Sequence, residues 1–308
     1  MRIILIGQAA FADKVLTGLR ERSHEILGVY CPADAGGRVD PVKAQALALN
    51  IPVRQHASLK GPHVQQEFAE LRADLGVLAY VTQIVPRSVF EIPRLGSICF
   101  HPSLLPRYRG GSAINWQIIK GETETGVSVF WVDPGIDTGP ILLQKRARID
   151  PDDTAGSLYY NTLFPLGVDA VLESVELIAA GTAPRLVQDE SHASYDPLCR
   201  DEHAAIDWSR PVQEVYNLNR GCDPQPGAHT TLKGERLRLY DARAVGGAGA
   251  RPGVVEGITA EGLAVGAAGG TIRTKRVRWA NEKIDAAAFA TAQHVAVGTR
   301  LGPEQRSA

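Results

Sequence analysis

The 308-residue chain carries 33 Lys plus Arg against 34 Asp plus Glu, a formal charge of −1, so no global field exists to gather polyanions. A hydrophobic fraction of 44% and a charged fraction of 22% fit one large or two ordinary globular domains and exclude disordered and fibrous classes. No apolar run reaches the roughly 18 residues of a membrane span, and Cys31, Cys99, Cys199 and Cys222 lack zinc-ligand spacing; free thiols in a reducing cytoplasm, without membrane or metal, are expected.

Residues 2–6 (RIILI) predict a first strand buried on both faces, ending at Gly7, followed by a helix from Phe11 to Arg22. A strand at Ile26–Tyr30, a turn-rich loop at Cys31–Asp40, a helix at Pro41–Asn50 and a short strand at Pro52 and Val53 come next. A helix near Val64–Leu71 precedes a strongly apolar strand at Leu75–Val81. This β-α-β alternation implies a mostly parallel sheet of Rossmann-like type. The sheet continues with Ser97–Phe100, Gly126–Val132 and Ile141–Arg148, and Asp152, Asp153 and Thr154 cap one long helix reaching about Ala180.

Residues 181–203 have little periodicity and read as a linker. Beyond a helix at about Pro211–Arg220, short glycine-separated runs (LRLYDA, GVVEGI, GLAVGA, TIRTKRVRW) predict a small β-barrel-like domain. The expected domains are therefore 1–203, an α/β catalytic domain including the linker, and 204–308, a β-rich one. Alternation in RTKRVRW places Arg273 and Lys275 on one face and Arg276 and Arg278 on the other, as in a solvated strand rather than a basic patch.

The βα turn GQAAFADK has only Gly7 where a dinucleotide fingerprint needs three glycines, so no nicotinamide cofactor is expected. The densest chemistry lies in SICFHPSLLPRYRGGSAINW, residues 97–116. In a strand Ser97, Cys99 and His101 share a face, and Pro102 holds His101 extended at the strand's carboxyl end, where open α/β sheets bind ligands. In VDPGIDTGP, Asp137 sits in a loop between glycines. It reads equally as a turn carboxylate making an Asx-type bond and as a partner that orients His101 for acid–base work.

The motifs HPSLLPRYRG, INW and GIDTG, with the later PQPGA and the β-rich end, resemble the family of enzymes that use 10-formyltetrahydrofolate, over residues 1 to about 300. Within it the texture is most similar to the hydrolase domain of 10-formyltetrahydrofolate dehydrogenase. The resemblance implies that His101 and Asp137 are the catalytic histidine and aspartate. It implies that the backbone of Gln83, Ile84 and Val85 lines the pterin pocket, and that Ser103, Leu104, Leu105 and Pro106 also contact the folate.

The family's transferases carry Asn-x-His, but here Cys99 holds the Asn position. A thiol donates weakly, and removing one oxyanion donor costs about 3–4 kcal/mol of transition-state stabilisation. The hydrolase domain also lacks that Asn. The leading expectation is thus release of formate from 10-formyltetrahydrofolate by water, with no metal. Transfer to a small amine or amino sugar is the alternative, and a folate-binding protein without turnover a third. Cys99 as a formyl-carrying nucleophile stays a minor option. Charge splits into 19 basic and 22 acidic residues up to residue 200 and 14 and 12 beyond it, which disfavours tRNA as acceptor.

Overall fold

The protein is described by a computed structural model over residues 1–34 and 36–302; residues 303–308, the end of the expected second domain, lie outside the described residues. In chain order the elements begin β1 (Arg2–Gly7), α1 (Ala9–Glu21), β2 (Glu25–Tyr30), α2 (Pro41–Ala48), β3 (Val53–Arg54), α3 (Pro62–Leu71), β4 (Leu75–Ala79) and α4 (Arg87–Phe90). They continue with β5 (Ser97–His101), α5 (Ala113–Ile119), β6 (Glu124–Trp131), β7 (Ile141–Arg148), α6 (Ala155–Leu158), α7 (Phe164–Ala179) and α8 (Val212–Gly221). The chain closes with β8 (His229–Leu232), β9 (Glu235–Gly246), β10 (Val255–Thr259), β11 (Gly262–Ala267), β12 (Gly270–Trp279), β13 (Glu282–Asp285) and α9 (Ala286–Ala292). Among the described residues no helix is long and apolar enough to cross a membrane.

Two compact units emerge: residues 1–111, 125–147 and 160–196 form the first, and 112–124, 148–159 and 197–308 the second. In the first, the sheet runs β3-β2-β1-β4-β5-β6-β7, parallel from β3 through β5. β6 reverses direction and pairs antiparallel with β5, because it follows β5 without a crossover back to the same end. Strands such as β1 and β4 read as unbroken apolar runs because they are covered on both faces. On one face Phe100 of β5 stacks on Phe11 of α1, ring centroids 4.3 Å apart, and Phe164 of α7 meets Phe11 edge-on at 5.6 Å. On the other, Ile4, Ile6 and Leu78 pack with Val64 and Phe68 of α3, and Cys99 lies against this cluster. At the β1–α1 turn the Ala9 N–H donates to the Asp40 carboxylate at 3.0 Å, so an acid of the chain itself sits where a pyrophosphate would approach.

The single long helix expected after Thr154 is instead α6, a π-helical turn at Tyr159–Leu163, and α7. Thr154 does cap α6, accepting from the Ser157 N–H at 3.0 Å. Pro165, in the first turn of α7, has no N–H to return to the preceding turn, and the chain widens there.

In the second unit β10-β11-β12-β9-β8 form an antiparallel sheet, with β13 on β12. Its core includes Trp208, Leu237, Val265, Ile272, Val277 and Phe289. The expected two-sided distribution of basic residues on β12 is not found. Ile272, Thr274 and Val277 face the core, so Arg273, Lys275, Arg276 and Arg278 all lie on the other side. Alternation breaks beside Asp241 of β9, whose φ of +52° kinks the paired strands between the Thr274–Ala242 and Arg276–Tyr240 pairs. Arg276 is paired with Asp241 at 2.9 Å and Arg273 with Glu261.

Candidate active site

His101 is the last residue of β5, opposite Ser128 of β6, and its side chain is almost fully buried. Its Nε2–H donates to the Tyr108 carbonyl at 2.7 Å, which fixes the ring and leaves Nδ1 as the nitrogen that can gain or lose a proton. Nδ1 faces Asp137 Oδ2 at 3.4 Å, an ion-pair distance longer than a direct N–H···O bond. The same Asp137 oxygen accepts the Gly110 N–H at 2.8 Å. The imidazole thus has one nitrogen committed to the main chain and the other turned to the carboxylate.

The turn bond expected of Asp137 is made by a different carboxylate. The Asx-type turn is made by Asp133, whose Oδ1 accepts from the Gly135 N–H at 3.1 Å and from the Thr138 hydroxyl at 2.6 Å. Asp137 is left to face the histidine, at a left-handed φ of +56°. Gly139 admits no side chain, since a Cβ there would overlap the Trp131 carbonyl oxygen, and this close approach returns the loop to β7.

Cys99, two residues before His101, is partly exposed and its thiol reaches the Phe100 carbonyl at 3.5 Å. Burial above all, and then the charge of Asp137, push its pKa well up, so the thiolate needed for nucleophilic attack is suppressed.

The segment Ser103–Pro106 is built by its neighbours. Ser128 Oγ donates to the Ser103 carbonyl at 2.6 Å and accepts the Leu105 N–H at 3.1 Å, while Gln144 Nε2 donates to the Leu105 carbonyl at 2.9 Å. The Ser103 hydroxyl is spent on the Arg107 carbonyl at 2.6 Å, and Ser103 and Leu105 are buried. Leu104 and Pro106, the latter after a cis peptide bond, are half-buried.

Gln83, Ile84 and Val85 lie between β4 and α4. Ile84 is 72% exposed, whereas Val85 packs on the core cluster of that face. Gln83 lines a pocket at the carboxyl ends of β1, β2 and β4, together with Gln8, Tyr30, Arg54, His56 and Thr82. His101, Asp137 and Cys99 are not among its walls. The pocket's polar groups are largely satisfied internally: His56 and Arg54 both hold Glu67, at 2.7 and 3.3 Å, and Thr82 bonds Gln8 at 3.2 Å.

Sequence reasoning missed four residues that shape the site: Ser128 and Gln144, which build the 103–106 loop, and Arg109 and Gln188. The expected linker is in fact pinned across the first unit. Leu186 exchanges two backbone bonds with Ile141, at 2.8 and 2.9 Å, and Trp131 Nε1 donates to the Pro184 carbonyl at 2.9 Å. Its low periodicity reflects a strap held by scattered, isolated contacts rather than by a continuous ladder. Among the described residues no group of His, Cys, Asp and Glu is placed to hold a metal ion.

A His–Asp pair at the carboxyl end of a mostly parallel sheet, with a separate antiparallel β unit, defines a two-part α/β architecture. The sequence matches the formyl transferase family over residues 1–168 and the formyl transferase C-terminal domain over 199–294. The chain belongs to this family, whose members are enzymes that use 10-formyltetrahydrofolate.

It is 39% identical to methionyl-tRNA formyltransferase of Geotalea daltonii over 98% of both chains. It is 41% identical to cytosolic 10-formyltetrahydrofolate dehydrogenase of Xenopus laevis over 78% of this chain, spanning 27% of that longer protein. The fold resembles HypX from Aquifex aeolicus in complex with tetrahydrofolic acid, with a TM-score of 0.72 and 21% identity over 100% of this chain and 50% of that one. It also resembles the N-formyltransferase from Helicobacter canadensis, with a TM-score of 0.69 and 20% identity over 88% and 98%.

Proposed function

We infer that the protein removes the formyl group of 10-formyltetrahydrofolate with water as acceptor, giving formate and tetrahydrofolate. The observation that carries this reading is the His101–Asp137 pair, 3.4 Å apart, with Cys99 rather than a strong hydrogen-bond donor beside it. The formyl group on N10 is amide-like. Attack by water gives a tetrahedral intermediate whose collapse requires a proton on N10. His101 Nδ1 is the exchanging nitrogen, and Asp137 orients it and can receive a proton from the attacking water. The elevated thiol pKa of Cys99 argues against a thioester on that residue. Similarity to 10-formyltetrahydrofolate dehydrogenase supports the choice of substrate.

Transfer to an amine is the second reading, favoured by the end-to-end alignment with a methionyl-tRNA formyltransferase. Incubating the purified protein with 10-formyltetrahydrofolate alone separates the two. Formate release at a rate unaffected by amines is expected. Turnover only after addition of an amino sugar or charged tRNA would replace water by that acceptor, and tight folate binding without turnover would reject both readings. A fully active His101→Ala variant would move the chemistry away from this site altogether.

A further inference from the structure

Asp137 holds a left-handed backbone conformation that an L-residue adopts at a cost, so its surroundings must impose it. The imposing group is Gln188. Its Nε2 donates one hydrogen to the Asp137 carbonyl at 2.8 Å and the other to the Gly139 carbonyl at 2.7 Å, bridging the loop on both sides of Thr138. Its Oε1 accepts from Arg109 Nη2 at 2.8 Å and Nε at 3.3 Å, which dictates which end of the amide faces the loop. Arg109 is in turn held by a two-pronged contact with Glu190, at 2.9 and 2.6 Å. Gln188 and Arg109 are 5% and 7% exposed, so the bonds between them and from Gln188 to the loop are shielded from water, while Glu190 caps the chain from the solvent side.

The same strap reaches the histidine. Arg109 N–H donates to the Ser194 carbonyl at 2.9 Å, and Ser194 Oγ accepts the Tyr108 N–H at 2.8 Å. Tyr108 is the residue whose carbonyl holds His101 Nε2. One segment therefore fixes the main chain behind both members of the pair.

We propose that Gln188, aimed by Arg109, is a positioning residue that keeps the Asp137 carboxylate against His101 Nδ1; this rests on the acid–base reading of that pair. Gln188 touches neither reacting atom, and its influence runs through the carbonyls of Asp137 and Gly139.

The test uses the full chain and 10-formyltetrahydrofolate. Gln188→Glu keeps the size and the Arg109 contact but cannot donate to two carbonyls. It is expected to lower kcat about tenfold or more with KM within about twofold. In an Asp137→Ala background the same change is expected to add nothing, whereas a general structural weakening would multiply the two losses. Val187→Ala, on the 86%-exposed neighbour, serves as the unaffected control.

A second measurement is independent of turnover. The Gly110 amide, bonded to Asp137 Oδ2, is expected to exchange its hydrogen at least about tenfold faster in Gln188→Glu, with the β1 and β4 amides unchanged. Unaltered kcat and Gly110 exchange in Gln188→Glu, alongside a strongly lowered but measurable kcat in Asp137→Ala, would overturn the positioning role and spare the catalytic pair. Full activity of Asp137→Ala would overturn the pair itself.

Discussion

Replacing Cys99 by alanine tests most directly how the site works. An unperturbed thiol, with a pKa of about 8.5, is roughly 3% thiolate at pH 7, and every unit of upward shift removes another factor of ten. Burial and the neighbouring Asp137 charge both move Cys99 in that direction. The thiol makes one weak hydrogen bond, at 3.5 Å to the Phe100 carbonyl, and otherwise packs at the edge of an apolar cluster, so deleting it frees no strong donor and removes only a small volume. The stability cost is about 1 kcal/mol or less, and kcat for formyl release is expected to stay within about threefold of the parent. Removing a true nucleophile costs on the order of 10⁴-fold or more. The assay is steady-state formation of tetrahydrofolate, paired with mass spectrometry of the Cys99 peptide after rapid quenching. A loss above about 100-fold in a folded variant, or a formyl adduct on that peptide, would refute the reasoning and make Cys99 the carrier.

Phe11→Ala removes the ring that stacks on Phe100 at 4.3 Å and meets Phe164 at 5.6 Å, and a cost of about 3–5 kcal/mol is expected. Calorimetry should then show the first unit melting on the order of 10 °C lower; a change of only about a degree would mean the site collapses around the loss. Tyr30 is pushed up to about 12 and Cys31 to about 11, each chiefly by burial. Both groups stay protonated in the fold while the unfolded chain begins to ionise near pH 9 to 10. Their contribution is therefore intact below about pH 9 and lost as pH climbs to about 12, so urea midpoints are expected to fall across that window. Tyr30→Phe should flatten the slope, and equal slopes in the two proteins would remove Tyr30 from the account.

Much of this protein was legible along the chain. Unbroken apolar runs such as RIILI and LGVLA identify strands covered on both faces, because only such strands lack polar alternation. Pro102 and the strand pattern before it put His101 at a carboxyl edge, and the glycines of GIDTG announce a loop in which backbone must pass close to backbone. The motif resemblance pointed to the formyl transferase family, and the family match over residues 1–168 shows it.

Other features depend on contacts between residues far apart in sequence, which no local pattern encodes. Whether Asp137 or Asp133 makes the turn follows from which carboxylate the Thr138 hydroxyl reaches. The helix break at Tyr159–Leu163 and the face reversal on β12 come from a missing N–H and a left-handed residue on the neighbouring strand, each overriding periodicity. Above all, residues 184–196 look like a linker because, apart from one short turn at Glu190–His192, their bonds go to β6, β7 and the Tyr108–Arg109 turn, all distant in sequence. Composition and periodicity determined which residues could do chemistry; only the tertiary structure decided that Gln188 stands behind Asp137, since a lone side chain's amide finds its carbonyls through the fold.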